Sequence, residues 1–254
     1  MSVCNILVEG KDDLIFLRRL IEVMRRDARL PDLPWKLLRS TRGENVTILN
    51  KKFGNCFCEP RDGVIVVLTS TGGVYFDAAA EKNVDLFLHV KPESGETYLV
   101  EQIVGVFDAD APYNVFGNPV NFGGVSCRRS HLERIFSRTG IGRKFFLLPD
   151  DSHDKTLEDL VLSMVRAEYK FALEKNWPQY REGLKKELLA KKLRYLEYTS
   201  KCSLSQFSAA VEKSVAKNLY WVSALWEDSI WDWDCTELLP LKSFLHAAVP
   251  ELFK

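Results

Sequence analysis

The sequence carries no net charge, no long apolar run and no paired metal-binding motif, and each absence removes a class of function. Across 254 residues, Lys plus Arg number 35 and Asp plus Glu number 35. A balanced chain does not coat nucleic acid through bulk charge, although it can still grip phosphates locally. No apolar stretch approaches the roughly 20 residues that span a bilayer. The first residues also lack the basic-then-apolar pattern of a signal peptide. The expectation is a cytoplasmic protein with no membrane partner. Six cysteines, Cys4, Cys56, Cys58, Cys127, Cys202 and Cys235, are scattered along the chain. Only Cys56 and Cys58 lie close, and a lone C-x-C without a second ligand pair is a weak zinc signal. The thiols are therefore read as reduced and mostly buried. His89, His131, His153 and His246 show no metal-ligand spacing, and no internal repeat or low-complexity tract stands out.

What is present is a regular alternation of apolar runs and amphipathic stretches. Val3 to Val8 is a short apolar run followed by Glu9-Gly10-Lys11-Asp12-Asp13. Leu14, Phe16, Leu17, Leu20, Ile21 and Met24 then recur at helical spacing, which predicts strand, tight turn and helix with Asp12 or Asp13 at the helix start. Trp35 to Arg39 reads as a second strand, and the polar, glycine-punctuated stretch from Arg42 to Asp62 as a loop or hairpin. Val64 to Leu68 is a buried-strand pattern, and a helix is expected from about Val74 to His89. Ile103 to Phe107 forms another apolar strand ending on Asp108-Ala109-Asp110. A helix over roughly Arg129 to Arg138 and a strand over Lys144 to Leu148 follow, and Pro149-Asp150-Asp151-Ser152 turns the chain into a helix beginning near Thr156. Strands alternating with helices imply an α/β fold with a mainly parallel sheet flanked by helices. Beyond about Arg166 strand signals disappear, so the expected division is an α/β domain over 1–165 and a helical C-terminal region over 166–254.

In such a sheet, ligands sit outside the carboxyl ends of the strands. Glu9 and the Asp108/Asp110 pair each follow an apolar strand directly. Asp108 and Asp110 alternate along an extended chain, which places both side chains on one side. Converging carboxylates are hard oxygen ligands suited to Mg²⁺ or Mn²⁺, and a bound cation relieves their mutual repulsion.

Glu9-Gly10-x-x-Asp13 after a strand, followed by Asp108-x-Asp110 after a later strand, resembles the Toprim domain of primases, topoisomerases, RNA-maturation nucleases and overcoming-lysogenization-defect nucleases. The segment Phe146-Leu147-Leu148-Pro149-Asp150-Asp151, with Leu157-Glu158-Asp159-Leu160 beyond it, is similar to short stand-alone Toprim-like proteins related to the last group. So is the ending around Trp231-Asp232-Trp233. The resemblance implies phosphodiester chemistry with one or two Mg²⁺ or Mn²⁺ ions. Asp108 and Asp110 would hold one ion, and Glu9 would be a ligand or the general acid/base. Asp13 and Glu158, with Asp159, would serve a second ion. The implied substrate is nucleic acid, DNA or RNA, cut by an endonuclease. The wider group also implies an ATPase partner, in places in anti-phage defence. A homodimer is a further arrangement to consider, and a catalytically silent binding module is the alternative to an enzyme.

Each residue also has a plainer reading. Asp13 caps the first helix, serves a metal, or does both. Asp159 lies three residues after Thr156 in capping-box spacing, so the cap is preferred there and Glu158 is preferred as a ligand. Asp108 and Asp110 could form a turn before Pro112. Gly10, Lys11, Gly72 and Gly73 would let backbone and charge approach a phosphate, or simply form turns. Lys11, Lys144 and Lys155 are candidates for a transition-state cation, with Lys155 carried into the catalytic set. His153 is read as a surface residue. The arginines of the first helix (Arg18, Arg19, Arg25, Arg26, Arg29) and of the later one (Arg128, Arg129, Arg134, Arg138) either track a phosphate backbone or form solvated faces balanced by nearby acids. Trp221, Trp226, Trp231 and Trp233 are read as packing rather than base-stacking residues.

Overall fold

The computed structural model describes residues 2–38, 46–48, 51–71, 88–90, 97–109, 124–171, 174, 177–191, 203–204, 207, 221–226 and 228–254. The chain divides into two compact units, one comprising Met1–Leu157 with Leu238–Lys254 and the other Glu158–Glu237.

The first unit is built on the apolar runs of the sequence. They become the parallel strands β1 (Ser2–Val8), β6 (Val64–Ser70), β9 (Gln102–Asp108) and β10 (Gly142–Leu148). Strands buried on both faces need near-continuous apolar sequence rather than alternation. Ile6, Leu7, Val8, Val66, Val67, Ile103, Val104 and Phe107 have at most a trace of exposed surface. The short strand β2 (Lys36–Leu37) and β5 (Cys56–Arg61) extend this sheet antiparallel, giving the order β10-β9-β1-β6-β5-β2. The polar stretch after Arg42 contributes a separate hairpin of β3 (Val46–Ile48) and β4 (Lys51–Phe53), and β7 (His89–Val90) pairs with β8 (Tyr98–Leu99). The architecture is thus α/β with a mostly parallel six-stranded sheet. The helix expected from about Val74 lies outside the described residues, except at its end, where His89 is in β7.

Strand alternation assigns the two faces. Val3, Leu7, Ile65, Val67, Ile103, Phe107, Phe145 and Leu147 pack with Leu132, Ile135 and Phe136 of α2 (Val125–Phe136). Gly105 lies in that row because a Cβ there would fall 2.5 Å from the Phe107 ring and 2.6 Å from the Phe145 ring. The alternate residues, including Ile6, Leu68, Val104 and Phe146, face the other side. There α1 (Lys11–Asp27) contacts β1 and β6, burying Leu14, Leu17, Leu20, Ile21 and Met24. The last helix, α6 (Leu239–Ala248), contacts β10, with Phe146 and Phe244 rings 5.3 Å apart. Side chains from the sheet and α1 hold the carbonyls around its end. Gln102 Nε2 donates to Ala248 O at 3.0 Å, Lys144 Nζ to Ala247 O at 2.8 Å, and the buried Arg25 guanidinium to Leu252 O.

Among its described residues the second unit is helical apart from an isolated bridge between Val165 and Trp231. Most of α3 (Leu157–Ser163), α4 (Ala167–Phe171) and α5 (Trp177–Ala190) belong to it. Trp231 is fully buried against Phe207, which also meets Tyr169 edge-on. With Trp233 also buried, these aromatics are core, as preferred from sequence. Among the described residues no helix is long and apolar enough to cross a membrane.

Candidate metal and phosphate site at the sheet edge

The topology creates a crevice at one place. From β1 the chain moves to β6 on one side, then returns to β9 on the other side of β1. Connections therefore diverge between β1 and β9, the switch point at which open α/β sheets bind ligands beyond their carboxyl ends. Val8 pairs with Val106, so Glu9 directly after β1 and Asp108 at the end of β9 border this crevice.

Glu9 is held from several sides. Arg128, in the first turns of α2, places Nη2 3.4 Å from Glu9 Oε2. The Arg128 side chain is only 4% exposed and that of Glu9 16%, so this ion pair is largely removed from water. The guanidinium carbon also lies 5.8 Å from the centre of the Phe107 ring, within cation–π range. Thr71 fixes the backbone by donating its N–H to Val8 O at 2.8 Å and its hydroxyl to Glu9 O at 3.3 Å. Next in the chain, the Gly10 N–H donates to Asp13 Oδ2 at 2.9 Å. The buried Asp13 therefore performs the cap foreseen for it, satisfying a backbone donor before the first turn of α1.

Asp108 likewise supports a helix start. Its Oδ1 accepts the Leu157 N–H at 2.7 Å, supplying from β9 the acceptor that the beginning of α3 needs. Along β9, Phe107 and Ala109 belong to the core on the α2 side, so alternation sets Asp108 toward the other side of the strand. Ala109 N–H donates to Leu148 O, and Gly124 N–H to Ala109 O.

The acidic turn after β10 meets the start of α2. Asp154 Oδ1 accepts the Val125 N–H at 2.7 Å, and Gly124, with φ +95°, makes the entry into the helix. Asp151 pairs with the Arg129 guanidinium and accepts the Leu147 N–H at 2.9 Å. Partial burial alone would raise the pKa of Asp150. Hydrogen bonds from the Ser152 hydroxyl, from His153 and from their backbone N–H groups outweigh it and hold the carboxyl down at about 2.

These placements sort the sequence-based candidates. Glu9, Gly10, Asp13 and Asp108 lie at the sheet edge, with Lys11 opening α1 beside them. Asp110, Gly72 and Gly73 lie outside the described residues. Glu158 is buried and Asp159 partly buried, and both belong to the second unit. Lys155 is exposed. Lys144 is not at the edge: it pairs with Val104 early in β10 and caps the Ala247 carbonyl in the last turn of α6, which removes it as a transition-state cation. His153 is exposed as expected, with Nδ1 2.6 Å from Asp150 Oδ2. Among the described residues no three His, Cys, Asp or Glu side chains come together as a metal-binding group.

The arginine-rich stretches resolve largely in favour of local balance. Arg18 and Arg19 pair with Glu22, Arg129 with Asp151, and Arg25 and Arg128 are buried. Arg128 is the functional candidate that sequence reasoning missed as an individual. Its signal was an arginine at the start of a helix, indistinguishable in sequence from Arg129 beside it. No protein-family model, curated protein or solved structure matches this chain.

Proposed function

We propose that this is a cytoplasmic, Toprim-type phosphoryl-transfer protein acting on nucleic acid, most simply an endonuclease using Mg²⁺ or Mn²⁺. The observation that carries the reading is the position of Glu9 and Asp108 at the carboxyl ends of adjacent parallel strands, on either side of the switch point. Carboxylate oxygens are the donors a hard divalent cation requires. Glu9 Oε2 and Asp13 Oδ1 are buried, so such a cation would meet them in a medium where charge counts for more than in water. The fit is in donor chemistry. The described residues do not by themselves complete a ligand set, and Asp110 is the residue the reading adds.

In this reading Glu9, Asp108 and Asp110 would hold the ion, which would supply neutralising charge for phosphate oxygens. Glu9 would alternatively move a proton, and Gly10 would leave backbone close enough to face a phosphate. Lys155 would supply a cation. An ATPase partner or a second copy of the chain belongs to the same proposal through the family resemblance alone.

A second reading has specific support. Glu9 is paired with Arg128, Asp13 with the Gly10 N–H and Asp108 with the Leu157 N–H, so each of these three carboxylates already performs a structural task. A Toprim-like module that binds nucleic acid or a protein partner without turnover would look the same. Incubating the protein with supercoiled DNA, single-stranded DNA and structured RNA in Mg²⁺ or Mn²⁺ separates the two. Cleavage lost in Asp110→Ala supports the enzyme. Cleavage of none of the substrates leaves the binding module.

A further inference from the structure

We infer that the second unit, Glu158–Glu237, is an insertion that opens as one cooperative body while the sheet of the first unit stays folded. Its basis is the way the insertion is closed at its neck, and no metal or phosphate chemistry is needed for it.

The chain leaves the first unit after Leu157 and returns to it at Leu238. Within the second unit, the segments that follow the exit and precede the return are tied to each other. Val165 and Trp231 form an antiparallel bridge, flanked by the Arg166 N–H donating to Ile230 O at 3.0 Å and the Asp232 N–H donating to Met164 O at 2.7 Å. Arg166 Nε adds a bond to Trp231 O at 3.2 Å. The same segments carry a core. Val161, Met164, Leu204, Phe207, Leu225 and Trp231 have at most a trace of exposed surface, and the Phe207 and Trp231 rings meet edge-on at 6.1 Å. Trp231 gives its backbone to the neck and its ring to the core, so neck and core open together.

The first unit keeps its own hold on both ends of the chain. On the exit side, Asp108 accepts the Leu157 N–H. On the return side, Gln102, Lys144 and Arg25 donate to the carbonyls of Ala248, Ala247 and Leu252, and Phe146 meets Phe244. All of these residues belong to the first unit. Once unfolded, the insertion is a long loop between anchored points, and the entropy of closing such a loop grows only slowly with its length. Opening of the insertion therefore withdraws none of these contacts from the sheet.

The test is native-state hydrogen exchange of the full chain, followed residue by residue by NMR at low urea concentrations. The Arg166 and Asp232 amides should be protected and should share one opening isotherm with Tyr169, whose N–H is bonded to Arg166 O. All three should exchange at least about a hundredfold faster than the central amides of β1, β6 and β9. Trp231→Ala should speed the three by a further factor of about a hundred, the scale of truncating a buried Trp, and leave the sheet amides unchanged. Equal opening of both units in wild type would make the chain a single cooperative body and overturn the inference. Unprotected Arg166 and Asp232 amides would overturn it as well, because the neck would then be open. So would a Trp231→Ala effect that reaches the sheet equally or stays confined to Arg166 and Asp232. If Trp231→Ala does not accumulate as a folded protein, the wild-type isotherms decide alone.

Discussion

Asp108 at the end of β9 accepts a hydrogen bond from the backbone N–H of Leu157, joining the candidate catalytic edge to the first residue of α3. One side chain therefore has a structural task that is visible and a proposed metal task that is not, and the two respond differently to substitution. Asp108→Asn keeps an acceptor oxygen and removes the charge, whereas Asp108→Ala removes both. Asp108→Ala should lose about 1 kcal/mol of stability, the usual cost of a missing cap acceptor, and Asp108→Asn much less. Both should lose Mn²⁺ affinity to a similar degree. Chemical denaturation and Mn²⁺ titration of the two variants measure the two effects separately. Equal stability with unequal metal affinity would reverse the assignment.

Arg25 offers a test of the fold away from the site. Its guanidinium donates to Pro31 O and Leu252 O, and the side chain is buried. Arg25→Met leaves those carbonyls without their donor, and a destabilisation of about 3 kcal/mol is expected. Urea unfolding should show it. A loss below about 0.5 kcal/mol, within the range of ordinary surface changes, would mean that the end of the chain is not held this way.

Gly105→Ala tests the packing of the sheet face that carries α2. The added methyl would overlap the Phe107 and Phe145 rings, both core groups. Overpacking of this kind costs about 1–3 kcal/mol. Because Phe107 also lies under Arg128, the variant should weaken the Glu9–Arg128 pair as well. A melting temperature equal to that of wild type would show that β9 accommodates a side chain at this position.

Acid dependence follows from Asp150. Its folded-state pKa of about 2 lies below the ordinary value of 3.8. The carboxylate form is therefore favoured by folding, and its contribution is present above about pH 4 and lost as pH falls toward 2. Asp150→Asn should remove this part of the acid sensitivity, so the stability gap between the two proteins narrows between pH 5 and pH 2. A gap that stays constant over that range would deny Asp150 the hydrogen bonds from Ser152 and His153.

The thiols divide by burial. Cys4, Cys56 and Cys58 are buried, and desolvation raises their pKa values, those of Cys4 and Cys56 to about 12. Cys127 is exposed at the start of α2. Alkylation of the native protein followed by peptide mapping should label Cys127 readily and leave Cys4, Cys56 and Cys58 unmodified until the chain unfolds. Labelling of Cys56 or Cys58 in the native state would contradict the packing of β5.

The parts of the fold that were legible in the sequence are those whose signal is local. A strand buried on both faces must be apolar throughout, so Val64 to Leu68 and Ile103 to Phe107 announced β6 and β9 directly. Capping is also local, and Asp13 makes the cap that was one of the readings open to it. What was not legible depends on residues far apart in the chain. Periodicity marks 239–248 as amphipathic but does not say that Phe244 meets Phe146. Nothing near Arg128 distinguishes it from Arg129, yet one turns inward to Glu9 and the other outward to Asp151. Lys144 read as a candidate cation because strand position along β10 is invisible until register is known. For the candidate site, adjacency of β1 and β9 had to come from topology, whereas the carboxylates at their ends were visible from the outset.

The most direct test of the central claim is Mn²⁺ binding followed by electron paramagnetic resonance in wild type, Glu9→Gln and Asp110→Ala, each confirmed as folded by circular dichroism. The account predicts bound Mn²⁺ in wild type and at least about tenfold weaker binding, a loss near 1.4 kcal/mol, in both variants. Equal binding in all three proteins would contradict it, because the ion would then sit somewhere other than the edge formed by β1 and β9.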